Sequence, residues 1–286
     1  MVKNAIILPN LHKDPDLSVT TKLIKKLLSL DFSVYAFPDS GIDPALGISL
    51  CSEPPESTDV IFVVGGDGSV IDASRLAIEI DAPVLGVNVG KLGYLSEVEP
   101  DNMDVLDSLK EGNFVIEEKL LLTTEHVNVK GITKLADRRA VNDVVISQDG
   151  YFGIAHFRVK NHRGEQVCYR GNGVIIATPV GSTAYSLSAG GPIISHSLES
   201  ITVTPVCPHS FFNRSIVFDS NEVISVINTG ELDLNISIDG RNFMILKQGD
   251  ECKIYSSKHK LKMITFNESN MFSTLFKKIR VIGDNV

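Results

Sequence analysis

Residues Val60-Ile61-Phe62-Val63-Val64 run without a break into Gly65-Gly66-Asp67-Gly68-Ser69, and this junction constrains the fold more than any other stretch. Five consecutive apolar residues, β-branched except for Phe62, read as a strand buried on both faces. The glycines then stop the strand. Glycine tolerates positive φ and lets a large anion approach the backbone closely. After Ser69, the residues Val70, Ile71, Ala73, Ser74, Ala77 and Ile78 recur at helical spacing. The unit is therefore strand, glycine turn and helix N-terminus, where free N–H groups and the positive end of the helix dipole suit phosphate. Asp67 is out of place there, because a carboxylate repels phosphate unless it takes a proton or helps hold a metal. A tight turn in which Asp67 merely caps the helix accounts for the same residues, and the pattern alone does not choose between the two.

Strand and helix signals alternate around this junction. Residues 5–8 and 33–37 read as strands, and Leu17, Leu23, Ile24, Leu27 and Leu28 form a helical face with Ser18 or Thr20 as its cap. Residues 41–58 lack periodicity and read as loop. Residues 83–87 read as a strand and 102–110 as a helix. Such alternation predicts an α/β layer with a parallel sheet. From about 114 to 266 the pattern changes to strand after strand: 120–126, 140–147, 155–160, 174–177, 216–218, 223–227, 232–238 and 243–246. Leu232, Leu234, Ile236 and Ile238 alternate with polar residues, as a half-buried antiparallel strand does. Turn signals separate these runs: Asp149-Gly150, Arg163-Gly164, Thr229-Gly230, Asp239-Gly240 and Gly249-Asp250. One helical island, 182–189, interrupts them. Residues 271–279 return to helical spacing and are expected to pack back on the first layer. The expectation is two domains, 1–110 completed by 267–286, and 111–266, which suits a chain of 286 residues.

Charge and cysteine content narrow the function classes. A net charge of −8 argues against a nucleic-acid surface or a polybasic membrane contact. The N-terminal apolar run is broken at Pro9, too soon for a signal segment, and no run approaches a membrane span. Cys51, Cys168, Cys207 and Cys252 are dispersed, which fits a reduced, cytoplasmic protein and not a zinc site.

A second constellation lies at 169–194. A short apolar strand, 174–177, enters a Pro-Val-Gly turn that opens a short helix carrying Ser182, Thr183 and Tyr185, and Gly190-Gly191-Pro192 ends it. Small hydroxyl residues at such a start suit a sugar or amide ligand. A capped helix with a glycine stop accounts for Ser182 and the glycines, but not for so many small polar groups at the exit of an apolar strand.

Taken in order, these motifs resemble the bacterial NAD kinases. They are Gly65–Ser69; Gly86-Val87-Asn88-Val89-Gly90-Lys91-Leu92-Gly93-Tyr94-Leu95; Asn142-Asp143; Arg170-Gly171-Asn172-Gly173; the run 178–192; Thr204-Pro205-Val206-Cys207-Pro208-His209; and Ile238-Asp239-Gly240. Lipid kinases and phosphofructokinases carry similar Gly-Gly-Asp-Gly turns, whereas the run 178–192 is long and specific. The resemblance implies a Rossmann-like, phosphofructokinase-like α/β N-terminal domain with a parallel sheet. It also implies an all-β, antiparallel, sandwich-like C-terminal domain that binds NAD.

The implied reaction moves the terminal phosphoryl group of ATP, or of another nucleoside triphosphate or polyphosphate, to the 2′-hydroxyl of the adenosine ribose of NAD. Asp67 matches the family's general base, which resolves its odd placement, since a weak nucleophile needs a proton acceptor where phosphate and hydroxyl meet. Mg²⁺ is expected on the donor phosphates, with no dedicated cluster of metal-ligand carboxylates. Binding positions implied by the match are Gly66, Asp67, Gly68, Asn88, Tyr94, Asn142, Asp143, Arg170, Asn172, Thr183, Ala184, Tyr185, Ser186, Leu187, Ser188 and Arg241. Adjacent strand residues point to opposite faces, so Asn142 and Asp143 can share a ligand only at a strand end or bulge.

Four positions depart from the usual family residues: Asp143 for Glu, Asn172 for Asp, an acid at Asp72, and a cation at Arg241. His209 reads as structural, and His156 and His162 carry no partner pattern. The resemblance further implies a cytoplasmic homodimer or homotetramer acting on small molecules. Two rivals remain at this point, a diacylglycerol-type lipid kinase and an NAD-binding sensor that has lost catalysis.

Overall fold

The computed structural model describes residues 3–90, 93–136, 138–148, 153–266 and 275. The chain divides into two units, Met1–Glu118 with Leu261–Val286, and Lys119–Lys260. The expected helix at 271–279 lies outside the described residues except for Leu275.

In the first unit the elements are β1 (Asn4–Pro9), α1 (Ser18–Ser29), β2 (Ser33–Ala36), β3 (Ser49–Leu50), β4 (Val60–Gly65), α2 (Asp67–Glu79), β5 (Val84–Asn88), β6 (Ser96–Val98), α3 (Asp107–Glu111) and β7 (Val115–Lys119). The sheet runs β3-β2-β1-β4-β5, then the late strand Leu261–Thr265, then β7, with β6 also on β5. β1 pairs in parallel with β2 and β4, and β4 with β5, setting Ala5 beside Val60 and Ile61 beside Val84. Every residue of β4 is buried, as a strand covered on both faces requires. α1 buries Leu23, Ile24 and Leu27, and α2 buries Val70, Ala73 and Ala77. The order 3-2-1-4-5 reverses direction between β1 and β4. In open parallel sheets that switch point is where ligands bind, beyond the carboxyl ends of the strands. The loops after β1 and β4 meet there.

Two local expectations change. α1 is not capped by Ser18 or Thr20; its N-cap position is Leu17, at φ +53 with no side-chain bond. Buried Asp14 does the capping instead, accepting from the main-chain N–H of Thr20 at 2.8 Å and of Val19 at 3.2 Å. The stretch 41–58 contains a short 3₁₀ turn, Pro44–Leu46, and the edge strand β3.

The second unit is two six-stranded antiparallel sheets. Its elements are β8 (Leu122–Val127), β9 (Thr133–Leu135), β10 (Asp143–Gln148), β11 (Ala155–Lys160), β12 (Gln166–Gly171), β13 (Gly173–Ala177), α4 (Tyr185–Ser188), β14 (Ser200–Val206), β15 (Ile216–Asp219), β16 (Val223–Asn228), β17 (Leu234–Ile238), β18 (Arg241–Leu246) and β19 (Glu251–Ser256). One sheet has the order β15-β14-β13-β10-β17-β18 and the other β12-β11-β16-β19-β8-β9. Val144, Ile146, Val174, Ile176, Leu234 and Ile236 join Phe157, Val226 and Ile254 in one apolar core. Val145, Ile175 and Ala177 form a second cluster with Ala189 and Val206, as side-chain alternation dictates. β10 and β13 are thus apolar on both faces.

The strand expected at 232–238 begins two residues later, at Leu234; Leu232 packs beside Gly153, where a Cβ would lie 2.6 Å from its Cδ1. The helical island is not one helix. A 3₁₀ turn, Gly181–Thr183, and the single turn α4 are separated by Ala184 at φ −101, ψ −128. Asp239 and Gly240 both take positive φ, 48 and 75, giving the tight β17–β18 hairpin that their sequence signals. The Asp149-Gly150 turn lies outside the described residues.

The sequence places the domain boundaries at 110/111 and 266/267, whereas the units divide at 118/119 and 260/261. The reason is strand membership: β7 and Leu261–Thr265 both belong to the first sheet.

Candidate functional site

In the first unit the polar groups converge at the carboxyl ends of β4 and β5. Gly66 caps α2 without a side-chain bond, so Asp67 is the first helical residue and not the cap of its own helix. Its carboxylate turns instead to the segment just before β6. Oδ2 accepts from the Tyr94 N–H at 2.8 Å and Oδ1 from the Leu95 N–H at 3.0 Å. Gly93 makes this approach possible, since a Cβ there would stand 2.0 Å from Asp67 Oδ1. Burial and the charge of Asp67 together hold the Tyr94 phenol above its ordinary range. Gly65 leaves room for the Ser69 hydroxyl, which accepts from the Asn10 amide at 2.8 Å. A Cβ on Gly68 would meet nothing within 4 Å, so this glycine is open to its surroundings. Asn88 ends β5 only 3% exposed; its amide donates to both Glu99 oxygens at 3.1 and 3.2 Å, while its Oδ1 is buried without a partner among the described residues. Asp72 is exposed on α2.

The second unit holds a cavity of about 430 Å³, lined among others by Asn142, Asp143, Ser147, Ala184, Tyr185 and Asp239. Asp143 opens β10 and Asn142 precedes it, the strand end at which two neighbours can share a ligand. Their backbone is fixed from two sides. Asp239 Oδ2 accepts the Val141 N–H at 2.8 Å, and Oδ1 accepts those of Asn142 at 2.8 Å and Asp143 at 3.1 Å. From the other side Thr178 Oγ1 donates to the Val141 carbonyl at 2.6 Å and accepts the Gly181 N–H at 3.0 Å. Gly181 packs so close that a Cβ would lie 2.0 Å from the Asn142 carbonyl oxygen. Much of the run 178–192 is therefore scaffolding. Ser182 ties Pro179 to Ile194, and buried Ser186 shares a hydrogen bond with Thr204 at 3.1 Å.

Two carboxyl groups, buried Asp143 and partly buried Asp239, thus line one cavity. Burial, then the Asp239 charge, pushes Asp143 up to about 7. Burial also raises Asp239, while its three main-chain donors and Arg138 oppose the rise.

The expected site residues fall into three groups. Gly66, Asp67, Gly68, Asn88 and Tyr94 sit in the first unit at the strand ends. Asn142, Asp143, Ala184 and Tyr185 line the cavity of the second. The others are placed differently: the Thr183 hydroxyl bonds the Val180 carbonyl, Ser186 is buried, and Leu187, Ser188, Arg170 and Arg241 are exposed. Asn172 sits between β12 and β13, its Oδ1 3.5 Å from Gln148 Nε2. His209 is exposed and is held through its main chain, donating N–H to the Arg170 carbonyl at 2.6 Å, so no buried imidazole shapes that loop. His162 does have a partner, Glu222. Sequence reasoning missed Asp239, Ser147 and Ser237 as cavity residues, and Asn10 and Lys13 at the glycine turn. Asp239 read as a turn signal beside Gly240 and as part of a family motif, but not as a binding position, and the others carry no spacing signal.

Among the described residues no group of three or more His, Cys, Asp or Glu side chains is placed to hold a metal ion, and no helix is long and apolar enough to cross a membrane.

Comparison with known proteins adds an independent line. The family described as ATP-NAD kinase N-terminal domain matches residues 47–114, and ATP-NAD kinase C-terminal domain matches 116–266. The NAD kinase of Natranaerobius thermophilus is 34% identical over 285 residues, covering 96% of each chain. That of Geobacter sulfurreducens is 37% identical over 228 residues, 79% of this chain and 80% of its own. Among solved structures, yeast NADH kinase complexed with NADH superposes with a TM-score of 0.84 at 21% identity, over 97% of this chain and 87% of its own. An Archaeoglobus fulgidus NAD kinase in complex with ATP gives 0.73 at 23%, over 97% and 98%. At such identities these two structures speak to the fold.

Proposed function

The chain belongs to the NAD kinase family, and from that premise we propose that it transfers the terminal phosphoryl group of ATP to the 2′-hydroxyl of the adenosine ribose of NAD, with Asp67 as the proton acceptor. The observation that carries this reading is the seating of Asp67. Two main-chain N–H groups fix its carboxylate at the switch point of a parallel sheet, beside the free N–H groups of α2. The ribose hydroxyl, a weak nucleophile, loses its proton to Asp67 as the new P–O bond forms. The α2 N–H groups face the charge that develops on the transferring phosphoryl. Mg²⁺, when bound, would offset charge on the donor phosphates.

NAD occupies the cavity of the second unit in this reading. Asn142 and Asp143 hold ribose hydroxyls, and the half-exposed Tyr185 ring stacks on a base. A protonated Asp143 donates where an ionised one only accepts. Four free cysteines support a cytoplasmic setting. Exposed apolar residues of the second unit, among them Leu198, Phe211 and Phe212, support a homodimer or homotetramer, which light scattering tests directly.

The deciding experiment is purified protein with NAD, Mg²⁺ and ATP or polyphosphate, followed for NADP. Asp67→Asn is expected to bind NAD as the wild type does while turnover falls by about 10²-fold or more. Asn keeps one acceptor for the 93–95 segment and sets an NH₂ against the other N–H, so thermal stability is measured alongside. Equal losses in NAD affinity and turnover would overturn the general-base role.

A further inference from the structure

The loop after β1 places a cation on the glycine turn. Asn10 anchors this loop: its N–H donates to the Val64 carbonyl at 2.9 Å, and its amide donates to Ser69 Oγ at 2.8 Å. Asn10 then folds the next residues into a turn, its Oδ1 accepting from the His12 and Lys13 N–H groups at 3.1 and 3.2 Å. The result puts Lys13 Nζ where a Cβ on Gly66 would be only 2.4 Å away. Gly66 thus leaves the space that the ammonium fills.

By itself this placement is electrostatically unfavourable. A helix N-terminus repels cations, and Gly66 is the N-cap of the thirteen-residue α2. None of the ion pairs found among the described residues involves Lys13. Both oxygens of neighbouring Asp67 accept from Tyr94 and Leu95. An ammonium and a set of free N–H groups beside the same glycine suit one kind of ligand, an anion between them. β1 and β4 adjoin at the switch point, so the two loops present these groups where a parallel sheet binds phosphates.

We infer that Lys13 binds the terminal phosphates of the phosphoryl donor, with Asn10 and Gly66 positioning its ammonium. The inference rests on the kinase reading above and names a donor-side residue outside every motif that supports it. A chain of phosphates is the shared chemistry, whether it comes from a nucleoside triphosphate or from inorganic polyphosphate.

Two measurements separate this inference from the kinase reading. The first is calorimetric binding of tripolyphosphate with Mg²⁺, which needs no turnover. Lys13→Met is expected to weaken it about tenfold or more, as loss of one charge-assisted contact does, and Lys13→Arg to restore most of it. Gly66→Ala is expected to displace the flexible tip of Lys13 and weaken binding similarly, with little further loss in the double variant. The second is steady-state kinetics. Lys13→Met is expected to raise KM for ATP by a similar factor with KM for NAD unchanged, a split that a purely structural role would not produce. Because Lys13 is exposed, its thermal midpoint is expected to match the wild type. Absent NADP formation by the wild type would sink the kinase reading and leave the tripolyphosphate result to decide Lys13. Failure of the wild type to bind tripolyphosphate, or equal binding by Lys13→Met, would overturn the inference. If ATP affinity falls and tripolyphosphate affinity does not, Lys13 recognises another part of the nucleotide and the inference is likewise overturned.

Discussion

Asp143 is an acid that the fold buries beside another acid. Its carboxyl is raised to about 7 by burial and by Asp239, so the folded chain binds this proton more tightly than the unfolded chain, whose carboxyl keeps its ordinary value of 3.8. Stability therefore contains a contribution that is full below the unfolded value and is lost as pH rises toward about 7. Asp143→Asn removes the titration while keeping the shape. The variant is expected to match the wild type near pH 4 and to melt about 2–4 °C higher at pH 8, for each kcal/mol of charge burial relieved. Parallel melting profiles across that range would show that Asp143 ionises without cost. The same residue shows what a sequence hides. Asp67, Asp14 and Asp239 each hold main-chain N–H groups, and a main-chain donor carries no residue type. Their partners, from 5 to 98 residues away, leave no spacing to read. Asp67 was legible as an acid beside a phosphate turn, but its anchoring to the main chain of Tyr94 and Leu95 was not.

Among the elements, most strands with apolar runs are legible and the bare edges are not, although β19 and Leu261–Thr265, both inside their sheets, were not anticipated either. β9 is wholly exposed, β7 mostly so, and β12 buries only Tyr169 and Gly171; none had been anticipated. With little of each face covered, these strands need little of the apolar alternation on which strand recognition rests. β14 was obscured by Pro205, which lies beyond Val203, the last residue of that strand paired with β15. The segment 178–183 was legible as a motif, but its bracing of residues 141–143 was not. Gly181 tests this at the level of the element. A Cβ there meets the Asn142 oxygen at 2.0 Å, the carbonyl carbon at 2.5 Å and Cα at 2.8 Å, all main chain that cannot rotate away. Gly181→Ala is expected to cost about 1–3 kcal/mol in denaturant titration and to weaken NAD binding by displacing Asn142 and Asp143. Unchanged NAD affinity in a folded variant would mean that the brace does not position the cavity.

At the scale of the molecule, each unit has its own apolar cluster, and the order of the chain distinguishes them. The second unit is continuous, Lys119–Lys260, with both sheets complete inside it. The first depends on the chain coming back: Leu261–Thr265 lies between β5 and β7 and contributes Ile264 to the first cluster. Composition gave the change from α/β to all-β near residue 114, but no local signal marks a late strand as belonging to the earlier sheet, because sheet membership is decided by pairing and not by the strand's own residues. A charge at Ile264, which is buried, should therefore damage one unit and spare the other. Ile264→Asp places an unpaired carboxyl in the first cluster, at a cost of about 3–5 kcal/mol. Limited proteolysis with mass readout is expected to degrade the first unit while a resistant fragment within 119–260 survives. That fragment carries every residue lining the 430 Å³ cavity and is expected to retain NAD binding. Simultaneous loss of both units would show that the second core does not stand without the first.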